Sequence, residues 1–138
     1  MSDFLFVYGT LARDARHEMH EHLVRHAGYA GEGSFNGRLY RVAHYPGAVP
    51  SAAPDDKVHG ELYRLRDPQA LFARLDAYEG CGTDDPQPSE FVRRRETVEL
   101  QDGTSVQAWI YLLNRPILNL PRIASGRFIE KITHLAKR

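Results

Sequence analysis

The sequence is short of the residues that build several common architectures. It holds one cysteine, Cys81, in 138 residues, so no internal disulfide can form and a cytoplasmic location is the default expectation. Formal net charge is zero, with 18 basic residues against 18 acidic ones. The positive excess of a general nucleic-acid or membrane-surface binder is therefore missing, and neither partner is expected. No run of about 18 apolar residues occurs, which excludes a hydrophobic spanning helix. The opening MSDFLFVYGT carries Asp3 and only a short apolar run, not the basic start and long apolar stretch of a signal peptide. Repeats, low-complexity segments and linkers are also absent. A chain of this length and ordinary polarity reads as a single domain over 1–138, with a real core.

What is present falls into alternating elements. Phe4 to Tyr8 is a nearly continuous apolar run that reads as a strand buried on both faces, ending at Gly9. His17 to His26 has the look of a helix closed by Gly28. Arg38 to Val42 is a short strand, followed by a turn at His44 to Gly47. Val58 to Leu65 is another strand, and a helix follows over Pro68 to Gly80. Gly80 to Ser89 reads as a loop. Phe91 to Leu100 alternates apolar and charged residues, Asp102-Gly103 signals a hairpin, and Val106 to Leu113 is its return strand. Arg115 to Ser125 is irregular, and a terminal helix is expected from Gly126. The mix points to an α+β fold with a curved sheet or small barrel.

The helix from Pro68 holds the first sign of chemistry. Asp67 can cap it and Pro68 suits its first turn. At roughly 100° per residue, Leu71, Phe72, Leu75 and Tyr78 gather on one side. Glu79 projects into the same arc, whereas Asp76 and Arg74 are expected to point elsewhere. A carboxylate on a core-facing stripe is costly unless satisfied. Desolvation raises its pKa toward the range of a useful general base or acid. The competing explanation is a last-turn side chain that swings to solvent or pairs with an arginine.

Other features carry less. Gly9 permits a sharp turn, and successive N–H groups there could hold an anion or a carbonyl oxygen, although most such turns only connect elements. His17, His20, His22 and His26 share helix faces, but HEMHEH is not a metalloprotease motif and no ligand set completes a tetrahedral site, so no metal is assigned. Gly31, Gly33 and Gly37 lack the dinucleotide spacing and read as turn or strand entry. Cys81 alone says little as a nucleophile. Arg93, Arg94 and Arg95 must alternate between faces, and Arg93 or Arg95 is placed to face inward and find a carboxylate.

Taken in order, several segments resemble the gamma-glutamylcyclotransferase-like family. They are FVYGTL at Phe6 to Leu11, GRLYRVAHYPGAV at Gly37 to Val49, VHGELYRL at Val58 to Leu65, and LDAYEG at Leu75 to Gly80. FVRRRETVEL with AWIYLLN (Phe91 to Asn114) and IASGRF (Ile123 to Phe128) complete the set. The resemblance covers nearly the whole chain and is nearer the Tyr-Gly-Thr-Leu branch than the glutathione-specific one. It implies a barrel-like sheet with flanking helices and a central cavity. It also implies cleavage of a γ-glutamyl amide by the substrate's own α-amine, giving 5-oxoproline and an amine or amino acid, without metal, nucleotide or other cofactor. By the same resemblance Glu79 matches the catalytic glutamate, and the N–H groups of Gly9, Thr10 and Leu11 match the substrate-binding loop. Tyr8 and Tyr111 match cavity-lining hydroxyls, with Tyr45 and Pro46 on the rim. The chain departs from the family at Arg127, where an acidic residue is usual, and in the glycine often found after Leu11. Two other functions stand beside this one: a γ-glutamyl deprotecting acyl-transfer enzyme of a biosynthetic pathway, and a non-catalytic binding module for a small acidic metabolite. Oligomeric state is not legible.

Overall fold

The computed structural model describes residues 3–9, 18–79 and 89–128. The strands are β1 (Phe4–Val7), β2 (Ala27–Arg41), β3 (Pro46–Pro50), β4 (Lys57–Leu65), β5 (Phe91–Leu100) and β6 (Ser105–Leu113). The helices are α1 (Glu18–His26) and α2 (Pro68–Tyr78). The sheet runs β3-β2-β4-β1-β6-β5, and β5 pairs back onto β2. Five strands thus close into a barrel, with β3 attached outside the ring along β2. Every pairing is antiparallel except β1 with β6, which meet in parallel at Leu5 and Trp109.

The two-residue strand period sorts the apolar side chains into two cores. One fills the barrel: Phe6, Phe35, Val58, Leu62, Val98 and Ile110 are all buried there. The other lies between the barrel wall and the helices, where Leu5, Val7, Tyr63 and Tyr111 pack with Leu23 of α1 and with Leu71, Phe72 and Leu75 of α2. The expected apolar stripe of α2 is thus borne out except at Tyr78, which is exposed. Asp67 caps α2 by accepting from the Ala70 N–H at 3.3 Å. The α+β barrel with flanking helices is the expected architecture.

The clearest correction concerns β2. The glycines at 31 and 33 lie inside a 15-residue strand, whereas the sequence reading placed a strand at 38–42, with turn or strand entry before it. Gly31 has φ +119° and marks a register shift in the pairing with β4, a bulge that bends the strand. A Cβ on Gly33 would lie 2.9 Å from both the Glu99 carbonyl oxygen and a Val98 methyl. Only glycine lets β2 approach β5 this closely and close the ring. The turn predicted at His44 to Gly47 is also tighter than expected. It closes at Tyr45, whose carbonyl accepts from the Val42 N–H at 3.0 Å. Pro46 and Gly47 already belong to β3, an edge position where proline costs no ladder bond.

Other boundaries hold closely. β5 has its expected bounds, β6 starts one residue early, and the Asp102-Gly103 turn joins them with Gly103 at φ +88°. α1 begins at Glu18 and passes straight into β2 at Ala27, so Gly28 closes no helix. The 115–125 segment is irregular, tied to the barrel where the Ile123 N–H donates to the Leu39 carbonyl at 2.7 Å. Gly126 to Phe128 are not helical; the remainder of the expected terminal helix, from 129 on, lies outside the described residues. Among the described residues no helix is long and apolar enough to cross a membrane.

Candidate active site

Glu79 is the C-cap of α2, its N–H donating to the Leu75 carbonyl at 2.8 Å. The residue keeps some exposed surface, but its carboxyl group is enclosed. Burial, then the charges of Glu90 and Asp76, pushes its pKa from 4.5 up to about 8. The carboxyl therefore sits near the midpoint of its titration at physiological pH, the condition that lets one group both take and return a proton.

The strands below bring three tyrosines around it. Tyr8 directly follows β1, and its hydroxyl donates to the Tyr111 carbonyl at 2.5 Å while accepting from the Ala48 N–H at 3.1 Å. Burial holds its pKa well above that of a free phenol, and the nearby Glu79 adds to the effect. The Tyr8 hydroxyl is engaged by backbone on both sides, so it ties β1, β3 and β6 together. Tyr111, on β6, donates its hydroxyl to Asp76 Oδ1 at 2.6 Å. Its pKa is raised by burial, then by Asp76, and further by Glu79. Tyr45 donates to Glu90 Oε2 at 2.6 Å, and burial followed by that carboxylate pushes its pKa up to about 12. Pro46 stands beside Gly9: a Cβ on Gly9 would meet the proline ring at 3.0 Å.

Of the residues expected at the site, Tyr8, Tyr45 and Tyr111 thus share the electrostatic surroundings of Glu79, and Gly9 and Pro46 are mutual neighbours. Thr10, Leu11 and Cys81 lie outside the described residues. Asp76 was expected to point away and does not. It reaches to β5 and accepts a two-point contact from Arg93, Nε to Oδ1 at 2.8 Å and Nη2 to Oδ2 at 3.0 Å. Three positions on a helix rotate a side chain only about 60° from its neighbour, so Asp76 shares a surface with Glu79. That spacing was the available signal. The inward-facing arginine proves to be Arg93. Glu90, at the entry to β5, was not anticipated, because nothing local marks it.

The histidines of α1 do something else. His22 and His26 pack edge to face with ring centroids 4.8 Å apart. Among the described residues no three His, Cys, Asp or Glu side chains gather as metal ligands would.

The structure thus combines a closed barrel with a carboxyl group enclosed at one helix end. The family model described as "Gamma-glutamyl cyclotransferase, AIG2-like" matches residues 5–130. The gamma-glutamylcyclotransferase family protein YtfP of Escherichia coli (strain K12) is 35% identical over 129 residues, 92% of this chain and 96% of that protein. The solution structure of ytfP from Escherichia coli superposes with a TM-score of 0.61 at 31% identity, over 94% of this chain and 98% of that one. An AIG2-like protein from Mus musculus superposes with a TM-score of 0.70 at 25% identity, over 96% of this chain and 91% of that one. The chain belongs to the gamma-glutamylcyclotransferase family.

Proposed function

We propose that this protein is a cyclotransferase acting on γ-glutamyl amides, with Glu79 as general base and then general acid. The observation that carries the reading is the enclosed carboxyl at the end of α2, with its pKa near 8. An α-ammonium must lose a proton before its nitrogen can attack. Glu79 accepts that proton, and the amine adds to the γ-carbonyl carbon of the same molecule. The new C–N bond closes a five-membered ring. As the tetrahedral centre collapses, Glu79 returns that proton to the amide nitrogen and the old C–N bond breaks; the ring nitrogen then gives up its second proton through Glu79 to the departing amine, so that 5-oxoproline with a neutral ring nitrogen and an ammonium product leave. Backbone N–H groups after β1 are the candidates to hold the developing oxyanion. An enclosed site favours the reaction by holding the chain in the folded, ring-forming conformation.

The test is mass-spectrometric detection of 5-oxoproline from a panel of γ-glutamyl amines and amino acids, with wild type and Glu79→Gln side by side. Release by wild type and its loss in the variant, with ligand binding kept, is the expected result. Binding without release by either protein would instead support a non-catalytic module. Hydrolysis to free glutamate would support a deprotecting enzyme.

A further inference from the structure

Asp76 places a second carboxylate one turn before Glu79, and a like charge so near makes an ionised base harder to form. The structure meets Asp76 with a cation that is held from several sides. Arg93 donates to both Asp76 oxygens. Its guanidinium carbon lies 3.9 Å from the centroid of the Phe72 ring and 4.6 Å from that of Trp109. Those two rings pack edge to face at 6.0 Å. The Tyr111 hydroxyl completes the clamp on Asp76 Oδ1. A planar cation fixed by a fork and by aromatic faces is a task for arginine that lysine performs poorly. Glu79 thus faces Asp76 on its own helix, Glu90 before β5, Tyr8 after β1, Tyr45 before β3 and Tyr111 on β6. Among the described residues, Arg93 on β5 acts on Tyr111 and Arg115 after β6 acts on Tyr45.

We propose that Arg93 is a positioning residue for Glu79: it pins Asp76 in place, offsets its charge, and so sets the pH at which Glu79 exchanges its proton. The inference rests on Glu79 as the base, and its second readout is independent of turnover. Arg93→Met, Arg93→Lys, Asp76→Asn and the Arg93→Met/Asp76→Asn double variant are compared with wild type. One readout is the pH profile of 5-oxoproline release. The other is direct titration of the Glu79 carboxyl by carbon-13 NMR, with Glu79→Gln assigning the signal.

Arg93→Met should raise the midpoint by about one pH unit, and adding Asp76→Asn should reverse the rise. Arg93→Lys should fall between wild type and Arg93→Met, and Asp76→Asn alone should lower the midpoint. A reduced amplitude at an unchanged midpoint would assign Arg93 a merely structural role and overturn the proposal. If Arg93→Met does not fold, an unchanged midpoint in Asp76→Asn overturns it equally. A shifted NMR titration in a protein that turns over no γ-glutamyl amide would support the inference and sink the cyclotransferase reading.

Discussion

Replacing Glu79 by glutamine should make the protein more stable, and increasingly so as pH rises. The native state holds the Glu79 proton up to about pH 8, against 4.5 for the free group. Between those values the folded protein keeps a proton that the unfolded chain has released. Wild-type stability therefore falls across this window and levels off above it. The full difference corresponds to on the order of 5 kcal/mol. The partial exposure of the residue brings the expected gain at pH 9 down to about 2–4 kcal/mol. Glutamine is similar in size and does not titrate, so the difference between the two proteins isolates this one group. Urea unfolding at half-unit steps from pH 5 to 9 measures it. The two stability curves should nearly meet at pH 5 and separate through pH 8. Parallel curves would show that Glu79 is solvated like any surface carboxylate, and the argument for a tuned base would fall with them.

Two further outcomes are expected. Glu90→Gln removes the larger of the two charges acting on Glu79, so the pH window in which stability falls should narrow from its upper end. An unchanged window in the same unfolding series would show that Glu90 lies outside its influence. Leu75→Ala empties a fully buried position on α2 and should cost about 2–5 kcal/mol. A loss under 1 kcal/mol would mean that α2 is loosely seated on the barrel and cannot hold Glu79 in register.

The sequence revealed elements better than their joints. β5, β6 and α2 were legible because period and turn chemistry agreed there: alternation in Phe91 to Leu100, the Asp102-Gly103 turn, and the Asp67-Pro68 start. β2 was not, since its glycines act as bulge and barrel corner, roles that depend on partner strands far along the chain: Gly31 on β4 opposite Leu62, and Gly33 on β5 opposite Leu100. Glu79 was visible as a charge on an apolar stripe. Asp76 was misjudged because the helix alone does not show Arg93 waiting on β5. Glu90 and its tyrosine partner are 45 residues apart, and no local pattern joins them. The Tyr8 hydroxyl is held by the backbone of two other strands, a tie that no local pattern announces.

The barrel also fixes an order of events. β1 sits between β4 and β6, and Leu5 finds its parallel partner only at Trp109. The Tyr8 hydroxyl reaches across 103 residues to the Tyr111 carbonyl. Contacts so remote in sequence bear a heavy loop-closure cost before they return any stabilisation. During synthesis the first strand must wait, half-paired, until the last strand of the ring has left the ribosome. The segment that carries Tyr8 and Gly9 therefore depends on β6 for its second anchor, and a chain that stops short of β6 cannot close the ring, however well its hairpins form.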